Sequence, residues 1–169
     1  NMYGGEISGN QARFGGGVSV MWGAVFHMMG GEISGNSAGF GSTGAYNGGG
    51  VYVGHSSTFI MSGGKIKSNT AVDNAGGVYL GAFAKQYTYD TNRAALFQIS
   101  GDVEITGNTA GDVISNVYLD SSTSGENSIR AVITINGELT GKSRSIGIIA
   151  DDAADGTVVA TGSNLTGAD

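Results

Sequence analysis

A nine-residue motif, Met-x-Gly-Gly-charged-Ile-x-small-Asn, occurs at Met2–Asn10, Met28–Asn36 and Met61–Asn69. A looser copy with one extra residue runs from Ile99 to Asn108, and a degenerate one, INGELTGK, from Ile135 to Lys142. The asparagines are spaced by 26, 33 and 39 residues. A period that varies this much argues against a rigid helical repeat and for stacked units whose loops grow independently.

Each cycle carries three short apolar alternations. The first reads Phe26-x-Met28, Phe59-x-Met61, Phe97-x-Ile99 and Ile133-x-Ile135, with Met2 as a truncated start. The second centres on Ile7, Ile33, Ile66, Ile105 and Leu139; the third is Val18-x-Val20, Val51-x-Val53, Val78-x-Leu80 and Val117-x-Leu119. Period two with β-branched residues specifies strands that turn alternate side chains inward, and no segment has a helical period.

Three strands per cycle joined by glycine-rich corners describe an all-β fold, a right-handed single-stranded parallel β-helix. This is a solenoid of about five three-strand coils stacked at about 4.8 Å. It is expected as one domain over residues 1–169, with main coils over 1–149 and an irregular closing coil or tail over 150–169. The asparagine column, Asn10, Asn36, Asn69 and Asn108, is expected as a structural ladder, since asparagine tolerates tight corners and its amides can bond along a stack. The longer connections (37–48, 81–96 and 120–131) are expected to bulge from corners. Because Asn1 falls inside a repeat, the chain reads as a piece of a longer one.

Composition narrows the functional classes. Glycine is the outlier at 32 residues, while proline and cysteine are absent, which removes disulfides and thiolate metal sites. The net charge of −6 with only 8 Lys and Arg leaves no basic footprint for nucleic acid. No apolar run approaches the roughly 18–20 residues of a membrane span.

The GGEISGN and GGGVYV units resemble those of large bacterial surface proteins built on right-handed parallel β-helices, similar to polymorphic outer-membrane proteins and wall-anchored adhesins. The closing NVYL…ITINGELTG…GTVVATG is similar to the segment that ends such helices in secreted bacterial proteins. The resemblance spans nearly the whole chain and implies a bacterial extracellular or cell-surface location. It bears on architecture more than on activity, because this scaffold carries adhesins, lyases and passive stalks alike.

Candidate chemistry is sparse. The middle residue of the third alternation gives Ser19, Tyr52, Tyr79 and Tyr118; with its neighbours facing inward, this column is expected to form an exposed aromatic strip. Trp22, His55, Tyr87, Tyr89, Asp90, Arg93 and Arg130 lie on loops that leave the same edge. Tyr52, Tyr79, Tyr118, Trp22, Tyr87, Tyr89, Asp90 and Arg93 are therefore the candidate carbohydrate- or partner-binding residues, because flat rings stack on sugar faces. The competing reading is a tyrosine ladder that is structural or covered by the 81–96 loop.

Glu6, Glu32, Lys65, Glu104 and Glu138 form an outward charged column, with Glu32 against Lys65. Two stacked carboxylates match the spacing of a retaining glycosidase but lack a pocket to separate their pKa values, so a solvated face is expected. The histidines, His27 and His55, have no partner at metal-ligand spacing, and DDAAD (151–155) lacks a calcium-loop pattern. No catalytic residue, cofactor or metal ligand is assigned.

The leading expectation is a non-catalytic surface or secreted module, a stalk and adhesin that binds glycan or a host or neighbouring-cell surface. One alternative is a polysaccharide lyase or glycoside hydrolase using the same groove through Lys85, Asp90 and Arg93. The other is a subunit that stacks end to end into filaments.

Overall fold

The computed structural model describes residues 1–39, 45–83, 93–124, 126–140, 146–150 and 160–162. Every regular element among them is a β-strand, and none is a helix long and apolar enough to cross a membrane. Three sheets built of parallel pairs carry the architecture. The first takes Glu6–Ser8, Glu32–Ser34, Thr58–Lys67, Leu96–Thr106, Val132–Leu139 and Ala160–Gly162 in that order, with Val25–Met28 also paired to Thr58–Lys67. The second is Val18–Val20, Val51–Val53, Val78–Leu80, Val117–Leu119 and Ile148–Ala150. The third is made of two-residue strands, Gln11–Ala12, Ser37–Ala38, Thr70–Ala71 and Thr109–Ala110, and ends on Val113–Ile114, which pairs antiparallel.

Through the first four repeats the chain runs from the first sheet to the third, then to the second, and back to the first. Like residues therefore meet like residues. Phe26, Phe59 and Phe97 are in register, as are Met28, Met61 and Ile99. Ile7, Ile33, Ile66 and Ile105 form another column, and Val18, Val51, Val78 and Val117 a third. The Phe59 and Phe97 rings stack at 4.9 Å and 1°. Phe59, Met61, Ile66, Val51 and Val78 are fully buried, each contributing on the order of 2 kcal/mol of hydrophobic stabilisation. The repeat is thus the unit of the core: each copy supplies one layer.

Three details depart from the spacing-based reading. The first and second alternations are not separate strands in the third and fourth repeats but one continuous strand each, Thr58–Lys67 and Leu96–Thr106. Their register shifts between Ile99 and Asp102, where the fourth copy holds its extra residue. Leu139, expected over Ile105, lies against Gly101 instead. Ile135 already sits on Ile99, and only four positions separate Ile135 from Leu139 where six separate Ile99 from Ile105. Finally, Ala160–Gly162, inside the segment expected to close irregularly, adds in parallel to Ile133–Ile135.

Of the three longer connections, the first leads from the third sheet into the second, and the other two lie at exits from the second sheet. Ala82–Phe83 pairs antiparallel with Arg93–Ala94, and Ser121–Ser124 with Asn127–Arg130, so both extrusions begin and end as hairpins. The two hairpins pack against one another.

The asparagine column is a hydrogen-bonded ladder with a direction. The backbone N–H and Nδ2 of Asn36 both donate to Asn69 Oδ1, at 2.9 and 3.0 Å. Asn10 donates in the same way to Asn36, and Asn69 to Asn108. Each Nδ2 of Asn36, Asn69 and Asn108 also donates to a carbonyl of the preceding repeat, Ile7, Ile33 and Ile66 respectively. Asn36, Asn69 and Asn108 are buried, so these pairings satisfy groups that would otherwise cost about 1–3 kcal/mol each to leave unpaired. A second, shorter ladder links Asn47 and Asn74, with Asn74 N–H donating to Asn47 Oδ1 at 3.1 Å.

Candidate functional site

Val51 and Val53, like Val78 and Leu80, face the core, so strand alternation turns Tyr52 and Tyr79 to the other face. Register then stacks Tyr52 on Tyr79 and Tyr79 on Tyr118. The ring centroids are 5.2 and 5.7 Å apart and the planes within 7° of parallel. Ser19 occupies the column in the first repeat but carries no ring; Phe14, arriving from the preceding corner, takes the place and meets Tyr52 at 4.9 Å. Phe14 was not legible as part of the strip because it lies outside the alternation.

The strip is less open than the alternation implies. Tyr79 is only 8% exposed, and Tyr52 and Tyr118 are half-buried. Burial raises the Tyr79 phenol well above its ordinary value, and the Asp120 carboxylate, which accepts its hydrogen bond, raises it further. Tyr52 is raised too, first by burial and then by Asp120. These phenols stay protonated at neutral pH and act as donors and stacking faces, not as bases. Asp120 Oδ2 also accepts the Ala82 N–H at 3.2 Å, so this carboxylate ties the tyrosine stack to the first hairpin.

The corners leaving the second sheet carry further aromatic and cationic groups. Trp22 is 91% exposed and sits in the left-handed region at φ 57°, followed by Gly23 at φ 77°. The turn closes through Ala24 N–H to Met21 O at 3.2 Å. A bulky residue at positive φ is strained, and here no burial of its side chain offsets the cost. One repeat on, His55 lies 5.4 Å from the Phe83 ring, and the Arg93 guanidinium lies 4.8 Å over that ring's face. Arg93 Nε and Arg130 Nη1 are both shielded from solvent and have no acceptor among the described residues.

Of the eight candidate binding residues, the structure thus brings Tyr52, Tyr79 and Tyr118 into one stack. Trp22 and Arg93 lie on the corners that leave the same sheet. Tyr87, Tyr89 and Asp90, with Lys85, lie outside the described residues. No protein-family model, curated protein or solved structure matches this chain.

The charged column on the first sheet has a different chemistry. Glu6, Glu32, Lys65 and Glu104 are in register. The ion pairs nevertheless run Lys65 to Glu104 at 3.1 Å and Lys67 to Glu32 at 3.1 Å, so the expected Glu32–Lys65 contact gives way to a diagonal one. A hydrogen bond from Ser34 and the Lys67 ammonium hold the Glu32 carboxyl below its usual range. Lys65 is raised by its bond to Glu104. This lowering is opposite in direction to the raised pKa that the acid of a glycosidase pair needs. His27 Nε2 is 3.0 Å from Ser62 Oγ on the same sheet. Among the described residues no three His, Asp or Glu side chains cluster as metal ligands.

Proposed function

We propose that the stacked repeats wind into a right-handed parallel β-helix, and that the chain is a non-catalytic module of a bacterial surface or secreted protein. It serves as a stalk that recognises a glycan or partner at the corner beside the tyrosine stack. The register of four isoleucines and of four valines across successive repeats supports the winding. The observation that carries the binding role is Trp22, a strained and almost fully exposed aromatic on the corner that follows the strand paired with Val51–Val53. Strain retained without burial marks a side chain held for contact with something outside the fold.

A specific observation keeps the enzymatic alternative in view: among the described residues Arg93 Nε and Arg130 Nη1 lack acceptors, and a sugar carboxylate would supply one. One experiment separates the readings. The protein is applied to an array of neutral and acidic oligosaccharides, and the bound sugars are assayed for cleavage. Saturable binding without product, weakened at least about tenfold in Trp22→Ala, is the expected result. Cleavage that disappears in Arg93→Ala would make the module an enzyme, and binding indifferent to Trp22→Ala would remove the recognition surface from this corner.

A further inference from the structure

The two ends of the sheet stack are not equivalent. At one end all three sheets finish on strands of the first repeat: Glu6–Ser8, Gln11–Ala12 and Val18–Val20. At the other, the third sheet is shut by Val113–Ile114, which turns back antiparallel onto Thr109–Ala110. The asparagine ladder is shut there as well. Asn116 Oδ1 accepts the N–H and Nδ2 of Asn108, at 3.1 and 3.0 Å, filling the position that an asparagine of the next repeat would take.

The glycines give the open end a shape. Within each motif the first glycine of the pair lies against the previous repeat. A Cβ at Gly30 would come 2.7 Å from Tyr3 O, at Gly63 2.6 Å from Met29 O, and at Gly101 2.5 Å from Ser62 O. Gly4 holds the same place in the first repeat, yet a Cβ there would meet nothing within 4 Å, and its φ is not in the left-handed region. Neither crowding nor backbone conformation within these residues calls for glycine at position 4. A carbonyl from another repeat, seated as Tyr3 O is seated on Gly30, does call for it.

The ladder agrees. Asn36, Asn69 and Asn108 each accept two hydrogen bonds on Oδ1 from the preceding repeat, whereas Asn10 Oδ1 accepts none among the described residues. Tyr3 and Val25 stand exposed at 74% and 63% at the same end. We infer that this edge is a docking surface for one more repeat of the chain's own motif, entering in parallel. Its asparagine donates to Asn10 Oδ1 and its second-position carbonyl lies on Gly4. The occupant is not a second folded copy stacked in register, because the third sheet and the ladder, which such a copy would have to present, end on Val113–Ile114 and Asn116.

The experiment places a copy of residues 28–60 directly before Met2, so that Met2 stands in the phase of Met61. Amide exchange at Glu6–Ser8 and Val18–Val20 is then expected to slow at least about tenfold relative to the parent. Gly4→Val supplies the control. In the parent, where the site is empty, it leaves the unfolding midpoint unchanged; in the extended chain it removes the added protection. Unchanged exchange in the extended chain, or protection that survives Gly4→Val, overturns the inference. Concentration-dependent self-association of the parent that Gly4→Val abolishes would overturn it equally, since a second copy would then be what fills this edge.

Discussion

Asn108 and Asn116 are eight residues apart in the chain, yet Asn116 Oδ1 accepts both the backbone N–H and the Nδ2 of Asn108. Asn116 immediately precedes Val117, and the corresponding residues before Val18, Val51 and Val78 are Gly17, Gly50 and Gly77. Those positions are glycine for a stated reason. A Cβ at Gly17 would lie 2.9 Å from Asn36 Nδ2, and one at Gly50 3.0 Å from Asn69 Nδ2. The ladder asparagine of the next repeat and a side chain in the glycine column compete for one space. Where the next repeat brings no asparagine, a side chain from the column can occupy it.

Replacing Asn116 by the glycine of its column, Asn116→Gly, is therefore expected to destabilise, although it restores the pattern of the other repeats. It strands the buried backbone N–H of Asn108 and removes one acceptor from its Nδ2, which keeps its bond to Ile66 O, at about 1–3 kcal/mol in urea unfolding. A neutral or stabilising outcome would show that Asn116 does not end the ladder.

Within the ladder, position decides the cost. Asn69 is fully buried; it donates to Asn108 Oδ1 and Ile33 O and accepts two bonds from Asn36. Asn69→Ala removes all of these side-chain bonds and is expected to cost at least about 3 kcal/mol. Asn10→Ala, at the exposed end, is expected to cost under about 1 kcal/mol. Matched urea curves for the two variants test the gradient.

Much of the core was legible because its columns follow from spacing alone: an aliphatic at a fixed distance from a glycine pair must stack on its counterpart. What spacing could not supply was anything set by neighbours outside the repeat. Asn116 reads as a glycine lost, not as an asparagine gained, until the absence of a next ladder rung is considered. Phe14 lies outside any alternation. Tyr79 alternates outward as expected and is buried all the same, since alternation fixes which side of a strand a residue faces but not what covers that side. Lys65 shares a column with both Glu32 and Glu104, and the side-chain torsions that choose Glu104 have no signature in sequence.

Two glycines separate steric from conformational cost. A Cβ on Gly49 would land on the Thr70 carbonyl oxygen and 2.6 Å from Gly76 O, backbone on both sides, and Gly49 itself is not at positive φ. Gly35 is at φ +62° with nothing within 4 Å. Gly49→Ala is expected to lose more than about 3 kcal/mol or fail to fold, since two repeats would have to separate. Gly35→Ala is expected to cost about 1 kcal/mol, the strain of a left-handed alanine. Equal costs would mean that close approach at the corner is not what selects glycine there.

The buried phenols make an alkaline prediction whose sign follows from the direction of their shifts. Tyr79 and Tyr52 have folded pKa values raised above the ordinary value of about 10, so the unfolded chain releases these protons first. The stability they contribute is whole below about pH 10 and drains away as pH climbs beyond it toward the folded values. Absorbance at 295 nm should accordingly show fewer than the full 7 tyrosines ionising until the protein unfolds. Tyr79→Phe is expected to be less stable at pH 7 by about 1–2 kcal/mol, for want of its bond to Asp120, yet to lose stability less steeply above pH 10. If all tyrosines titrate together in the folded protein, the stack is open to water, and the exposed strip first read from the alternation would be the better description.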